Sequence, residues 1–292
     1  MKIHLVDGTY ELFRNHFGAP PKKAPDGREV GATLGLVRSL LMLVTTPGVT
    51  HVACAFDHSI ESFRNTLFAG YKTGAGVDAD LLAQFPLAEE AVSALGIVVW
   101  PMVEFEADDA LATAVHRFQH HTAVEQIVLC SPDKDLAQLV ESNRIVCWDR
   151  RRDRVMDAAG VVAKFGVEPL SIPDWLALVG DAADGYPGIP GWGAKSTAAV
   201  LSRFPHLESI PNDPDTWHVT TIPPGRAARL AAHLTQHRDE ALLYRTLATL
   251  RNDVPLQEKL SDLHWHGAYQ RLRTLCHALG DERIAARVPD WR

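Results

Sequence analysis

Cysteine is scarce. Four residues, Cys54, Cys130, Cys147 and Cys276, lie far apart and form no Cys-x-x-Cys pair, which argues against a zinc–thiolate cluster or a disulfide framework and leaves them as inert buried or half-buried thiols. No apolar run approaches the roughly 18–20 residues needed to cross a bilayer, and Met1-Lys2-Ile3-His4-Leu5-Val6-Asp7 enters a strand without an apolar leader. A cytoplasmic protein with no membrane association is therefore expected. Excess positive charge is missing as well: 29 Lys and Arg face 36 Asp and Glu, for a formal charge of −7, which on its face opposes binding to a polyanion. The 14 histidines look scattered and suggest no Ser–His–Asp or Cys–His arrangement. Glycine motifs for nucleotides also fail. Gly191-x-Gly193 lacks the third glycine of a dinucleotide fingerprint, and Ala194 separates Gly193 from Lys195, which breaks the Walker A spacing by one residue.

What remains is an ordinary folded composition, 46% hydrophobic and 22% charged, with alternating strands and helices in the first half, the pattern of a parallel α/β sheet. Three strand candidates run into aspartate: Ile3-His4-Leu5-Val6 before Asp7, Val52-Ala53-Cys54-Ala55-Phe56 before Asp57, and Ile127-Val128-Leu129-Cys130 shortly before Asp133. In open parallel sheets the ligand crevice lies outside the carboxyl ends of the strands, so these side chains should converge there. From about Asp157 onward strands vanish. Helix-like spacing is found near 30–46, 80–95, 106–118, 169–179, 194–203 and 225–250. The expected division is an α/β core over 1–165 and a helical region over 166–292.

Carboxylates accumulate at these strand ends and helix starts. Glu106, Asp108 and Asp109 share one turn, Asp133 and Asp135 flank Lys134, and Asp181 and Asp184 follow Leu178-Val179-Gly180. Each group has a plain reading as helix caps or turn residues. Together with Asp7 and Asp57 they make nine, and nine like charges in one crevice would raise pKa values and destabilise the fold unless cations shared the site. Oxygen ligands without His or Cys point to Mg²⁺ or Mn²⁺. Removing these nine from 36 leaves 27 acidic against 29 basic residues, a surface of about +2, so the objection to a polyanionic ligand loses its force.

Here the chain resembles the 5′-nuclease family, which includes flap endonucleases and the 5′→3′ exonuclease domain of bacterial DNA polymerase I. The resemblance runs in order through Val6-Asp7-Gly8, Phe56-Asp57, Phe63-Arg64, Tyr71-Lys72, Glu106-Ala107-Asp108-Asp109, Asp133-Lys134-Asp135-Leu136, Leu178-Val179-Gly180-Asp181, Asp184 and Gly188-Ile189-Pro190-Gly191. It covers roughly residues 1–205, with no polymerase region after it. The resemblance implies a PIN-like parallel sheet flanked by helices, with a helix–three-turn–helix element near 169–205 in the helical region. It also implies two-metal hydrolysis of DNA phosphodiesters at 5′ ends, nicks and 5′ flaps by a monomer. Asp7, Asp57, Glu106, Asp108 and Asp133 would support one ion, and Asp135, Asp181 and Asp184 the other, with Asp109 acting through water. Lys72 would meet the scissile phosphate, Arg64 would flank it, and Tyr71 would stack on a terminal base.

Pro187-Gly188-Ile189-Pro190-Gly191-Trp192-Gly193-Ala194-Lys195-Ser196 reads as a tight turn into a helix, suited to phosphate contact through Gly188, Gly191, Gly193, Lys195 and Ser196. The resemblance adds K⁺ held by turn carbonyls, and Arg14 as a further DNA contact. The family often continues Tyr-Lys-x-x-Arg, but Ala75 stands at the Arg position, so the arch-like segment 73–90 is short of charge for threading or clamping a flap. Arg150-Arg151-Arg152-Asp153-Arg154 reads as the turn of a hairpin between 144–148 and 154–156, and Arg226, Arg229, Arg238, Arg245 and Arg251 as a basic helical face. Two alternatives stay open: a PIN-like ribonuclease and a non-catalytic DNA-binding module. A dehalogenase-type phosphatase fits Asp7-Gly8-Thr9 poorly, because its nucleophilic aspartate would fall at Leu5.

Overall fold

The computed structural model describes all residues, Met1–Arg292. In chain order the elements begin β1 (Lys2–Asp7), α1 (Gly8–Gly18), α2 (Gly31–Val44), β2 (His51–Asp57), α3 (Arg64–Leu67), α4 (Ala79–Leu82), α5 (Phe85–Ala94), β3 (Val98–Met102), α6 (Ala107–Phe118) and β4 (Gln126–Cys130). They continue through β5 (Ile145–Asp149), β6 (Arg154–Met156), α7 (Ala158–Phe165), α8 (Ile172–Val179), α9 (Ala194–Leu201), α10 (Pro224–Gln236), α11 (Arg238–Ala248), α12 (Arg271–Ala278) and α13 (Glu282–Ala285). The expected α/β architecture is present, with no strand after Met156. No helix is long and apolar enough to cross a membrane.

Two compact units interleave along the chain. One comprises Met1–Ile60, Gly74–Ser131 and Arg251–Arg292; the other comprises Glu61–Thr73 and Pro132–Leu250. This division differs from 1–165 and 166–292, because the last segment packs with the first. Trp265 N donates to Thr50 O at 2.8 Å, Tyr269 N to Ala94 O at 2.9 Å, and the Arg117 guanidinium to Leu256 O at 2.6 Å. A helical spacing pattern cannot show which partner a helix will choose.

In the first unit the strands run parallel in the order β3-β2-β1-β4. Strand β1 is paired on both sides and buried from Ile3 to Asp7, which is why it reads as a continuous apolar run rather than an alternation. Helix α6 packs against β1, β2 and β3, and α1 packs on α2. Expected 80–95 is broken at Ala83–Gln84 into α4 and α5, where the Gln84 side chain turns inward to accept from Thr33 N at 3.1 Å. In the second unit β5 and β6 form the expected antiparallel hairpin, and α8 packs on α9 and α11. Expected 225–250 is two helices, α10 and α11, that meet at His237. All four cysteines are buried.

Within the first unit, Asp281 fastens the last segment to the amino-terminal one. Its carboxylate is 3% exposed and accepts from Lys22 at 2.9 Å, from Arg283 at 3.1 Å and from Arg38. Burial alone would raise its pKa; the hydrogen bonds from Arg283, Lys22 and Arg38 more than offset that and hold it far below the ordinary carboxylate value. Asp281→Asn should destabilise the chain by about 1–3 kcal/mol in urea unfolding, since a hydrogen-bonded charge is lost but its partners stay reachable by water. Because the native pKa is depressed, this stabilisation is fully present above about pH 4 and is lost as the pH falls from there through the native value. A D281N variant as stable as the parent at neutral pH would refute the assignment.

Candidate metal and phosphodiester site

In the first unit, two of the expected carboxylates sit at the carboxyl ends of neighbouring strands. Asp7 closes β1 and caps α1, accepting from Tyr10 N at 2.8 Å and from the Ser131 hydroxyl at 2.9 Å. Asp57 closes β2 and accepts from Ala107 N at 2.7 Å, which ties the strand end to the first turn of α6, where Glu106 and Asp108 stand. Asp109 is engaged by the backbone. It is fully buried, one carboxylate oxygen accepting from Glu106 N at 3.0 Å and the other from Arg251 N at 2.8 Å. The capping reading is therefore the better one for Asp109: its carboxylate braces the start of α6 and the chain at Arg251. Arg14, expected on DNA, pairs with Glu11 and donates to Ser39 Oγ at 3.1 Å.

In the second unit, Asp135, Asp181 and Asp184 converge, with ligand oxygens all within 4.8 Å of one another. Asp135 opens a short 3₁₀ helix, and its N–H bonds Asp133 Oδ1 at 3.0 Å; Asp133 itself is exposed. Asp181 and Asp184 belong to a tight loop closed by Asp181 N to Tyr186 O at 2.8 Å and Tyr186 N to Asp181 O at 3.1 Å. Asp135 Oδ1 is buried and has no hydrogen-bond donor. Burial, then the charges of Asp133, Asp184 and Asp181, push the Asp135 pKa well above the carboxylate range. A buried oxygen without a donor, facing two more carboxylates, suits a hard divalent cation bound through oxygen. The residues fit the expected group.

Two lysines partly neutralise this cluster. Lys134 Nζ lies 2.7 Å from Asp181, and Lys72 Nζ 3.1 Å from Asp184. Burial alone would lower the Lys134 pKa, but Asp181, with Asp135 and Asp133 beyond it, raises it overall. Lys72 is placed by its own backbone, whose N–H bonds Asp184 O at 2.9 Å. Sequence reasoning gives Lys134 no role beyond the middle of Asp133-Lys134-Asp135; its one signal is a lone cation between two acids.

Arg64 and Tyr71 take other places. Arg64 is 1% exposed and donates to Leu247 O at 2.8 Å and Thr249 O at 3.3 Å, so it satisfies carbonyls at the end of α11 and complements the helix dipole there. Tyr71 is 3% exposed beneath the Lys72 ammonium, which lies 5.5 Å from its ring centre; a ring so covered does not offer a face to a base. Tyr186 has no signal in the sequence at all. It is fully buried, its ring stacks on Tyr244 at 5.5 Å, and burial together with Asp135, Asp184 and Asp181 pushes its phenol pKa far up, so it stays neutral beside the cluster.

The glycine turn is held close to α8. Gly180 and Gly188 both have positive φ, 87° and 72°, and a Cβ on Gly188 would lie 2.4 Å from Gly180 N. Gly191 also has positive φ, 83°, and its neighbour Pro190 O meets His233 Nδ1 at 2.7 Å. Gly193 differs: its φ is −116°, and a Cβ there would meet nothing within 4 Å. It starts α9 together with Ser196, whose buried hydroxyl is used on the Gly193 backbone, while Lys195 is exposed.

A parallel sheet with carboxylates at its strand ends, a carboxylate trio beside two lysines, and a glycine turn opening a helix are features suited to divalent cations and phosphate groups. Comparison with known proteins goes further. A family described as "5′-3′ exonuclease, N-terminal resolvase-like domain" matches residues 2–166, and "5′-3′ exonuclease, C-terminal SAM fold" matches residues 167–271. The chain belongs to the 5′-3′ exonuclease family. It is 34% identical over 209 residues to a 5′-3′ exonuclease of Aquifex aeolicus, covering 71% of each chain. It is 33% identical over 270 residues to DNA polymerase I of Rhizobium leguminosarum, covering 89% of this chain but only 26% of the polymerase. The chain thus spans about a quarter of that relative's length. A solved flap endonuclease of bacteriophage T5, in a pseudo-enzyme–product complex with DNA and metal ions, shares the fold at TM-score 0.65 and 18% identity, covering 98% of this chain and 96% of that one.

Asp135→Asn should raise the melting temperature of the ion-free protein, because it removes a buried like charge, while weakening Mn²⁺ binding roughly tenfold or more, read by calorimetric titration. A variant that loses stability in chelator and binds Mn²⁺ unchanged would refute the trio as a metal site. In the turn, Gly188→Ala should cost about 2 kcal/mol or more through positive φ and backbone overlap. Gly193→Ala should be close to neutral in the same urea unfolding, and an equal loss in both would contradict this reading of the turn.

Proposed function

We propose that this protein is a divalent-metal-dependent 5′→3′ exonuclease and 5′-flap endonuclease, hydrolysing DNA phosphodiester bonds at 5′ ends, nicks and flaps in replication or repair. The observation that carries the metal dependence is the donor-less Asp135 oxygen within 4.8 Å of Asp181 and Asp184 ligand oxygens. Family membership supports the direction of attack, and the T5 nuclease crystallised with DNA and metal ions supports the substrate. Mg²⁺ or Mn²⁺ is the preferred ion on donor chemistry, with K⁺ at the turn carbonyls of 188–193 a further proposal.

When bound, divalent ions at such a site activate water and neutralise the charge on the departing oxygen. The protein's part is positional. Asp135, Asp181 and Asp184 present their oxygens from one short helix and one closed loop, and in the first unit Asp7, Asp57, Glu106 and Asp108 present theirs from two strand ends and one helix start. Asp133 stands exposed at the head of Asp133-Lys134-Asp135, and the Lys134 ammonium balances the Asp181 charge. Lys72 carries an ammonium that can pass from Asp184 to a phosphoryl oxygen as negative charge grows there. Lys195, exposed at the start of α9, and the Gly188–Gly193 turn are the proposed duplex-backbone contacts.

End-labelled 5′-flap, nicked, blunt and single-stranded DNA, incubated with Mg²⁺, tests the proposal directly. Cleavage should stop in EDTA and return with Mg²⁺ or Mn²⁺, and Asp181→Asn should slow turnover about a hundredfold or more while DNA still binds in Ca²⁺. Full activity in excess chelator removes the metal mechanism; products trimmed only from 3′ ends, or RNA cut in preference to DNA, remove the assigned substrate.

A further inference from the structure

Three of the histidines that look scattered in sequence come together in the first unit. His51 opens β2, at the end of that strand opposite Asp57. Pairing of β2 with β3 begins only at Ala53, and the segment 264–266 sits beside the strand start. His51 and His264 form an antiparallel bridge, and Trp265 N donates to Thr50 O at 2.8 Å. Trp265 reaches into the protein, its ring N–H on Leu95 O at 2.9 Å, so alternation along the extended backbone sets His264 and His266 together on the other face.

His264 Nδ1 lies 3.0 Å from Nε2 and 3.2 Å from Nδ1 of His266, with ring centres 4.2 Å apart. Being almost equidistant from both nitrogens, it is not aimed at one lone pair, so the contact is not a well-directed hydrogen bond. The His51 ring centre lies 5.0 Å from that of His264, and its Nδ1 is held by the Thr50 hydroxyl at 2.9 Å, leaving Nε2 for another partner. His266 is exposed and His264 half-buried, so solvent reaches the pair. Glu258 and Asp262 line the same open groove, together with Arg271 and Arg292.

We propose that His264 and His266, with His51 beside them, form a binding site for a transition-metal cation of the Zn²⁺, Ni²⁺ or Cu²⁺ kind, separate from the carboxylate site. Imidazole nitrogens select these ions, whereas Mg²⁺ and Mn²⁺ prefer oxygen. Two nitrogens each about 2.0–2.1 Å from one ion lie roughly 2.9 Å apart at a right angle and roughly 3.4 Å apart at a tetrahedral angle; the observed separations fall between. A ligating histidine must be neutral and is commonly oriented through its other nitrogen. Thr50 orients the His51 ring in this way, through its Nδ1.

The test uses the full chain, stripped with chelator and held in excess Mg²⁺ so that the carboxylates are occupied, with Zn²⁺ as the titrant. Calorimetry should show one Zn²⁺ event and thermal unfolding a Tm rise of a few degrees, both lost in the His264→Ala/His266→Ala double variant, whose Mg²⁺-dependent nuclease activity should match the parent. Should the double variant fold poorly in chelator, His266→Gln alone, at an exposed position, should weaken Zn²⁺ at least tenfold. Absence of a Zn²⁺ event in the parent, or an event undiminished in these variants, overturns the proposal.

Discussion

Charge that cannot be spread or hydrated governs the second unit. Asp135, Asp181 and Asp184 place their oxygens within 4.8 Å of one another, two lysines answer two of the carboxylates, and the Asp135 oxygen has no donor. Nothing in water would hold this arrangement, since each group would move apart or take a proton. The neighbouring structure supplies the restraint: the Asp181–Tyr186 loop is closed by its own backbone, Gly180 and Gly188 interlock, and Arg64 fixes the segment bearing Lys72 to the end of α11. Rigid surroundings keep like charges together, and Lys134 and Lys72 offset part of them.

Backbone N–H groups also hold these acids, as Ala183 N–H does Asp181, and in the first unit they hold several. Asp7, Asp57 and Asp109 all accept backbone N–H groups, so each does structural service at a strand end or helix start. For Asp7 and Asp57 this is compatible with ligand duty, because a carboxylate has more lone pairs than these bonds consume. For Asp109 both oxygens are already engaged by backbone amides. Helix N-termini favour negative charge, and they concentrate carboxylates in one place for that reason.

Much of the candidate site was legible because motif order survives in the chain while geometry does not need to be known. The strands ending in Asp7 and Asp57, the Asp133–Asp135 pair and the Asp181–Asp184 pair were all readable. Other assignments were not. Arg64 and Tyr71 look like surface contacts in sequence, yet Arg64 is buried on α11 carbonyls more than a hundred residues away, and Tyr71 is buried beneath Lys72. Lys134 and Tyr186 carry no pattern of their own, and their importance comes only from standing next to the trio.

The sequence by itself determined the class of element and the chemistry of the donors. Apolar runs ending in aspartate make buried parallel strands, and oxygen-only clusters call for hard cations, since both follow from local periodicity and side-chain type. Tertiary structure alone decided which of nine carboxylates gather as a trio and which brace the backbone as caps, because that depends on where backbone N–H groups lie. It also decided that residues 251–292 pack with the amino-terminal segment, and that His51, His264 and His266 meet. An extended segment pairs wherever a strand edge is open, and no spacing within the segment records where that edge is.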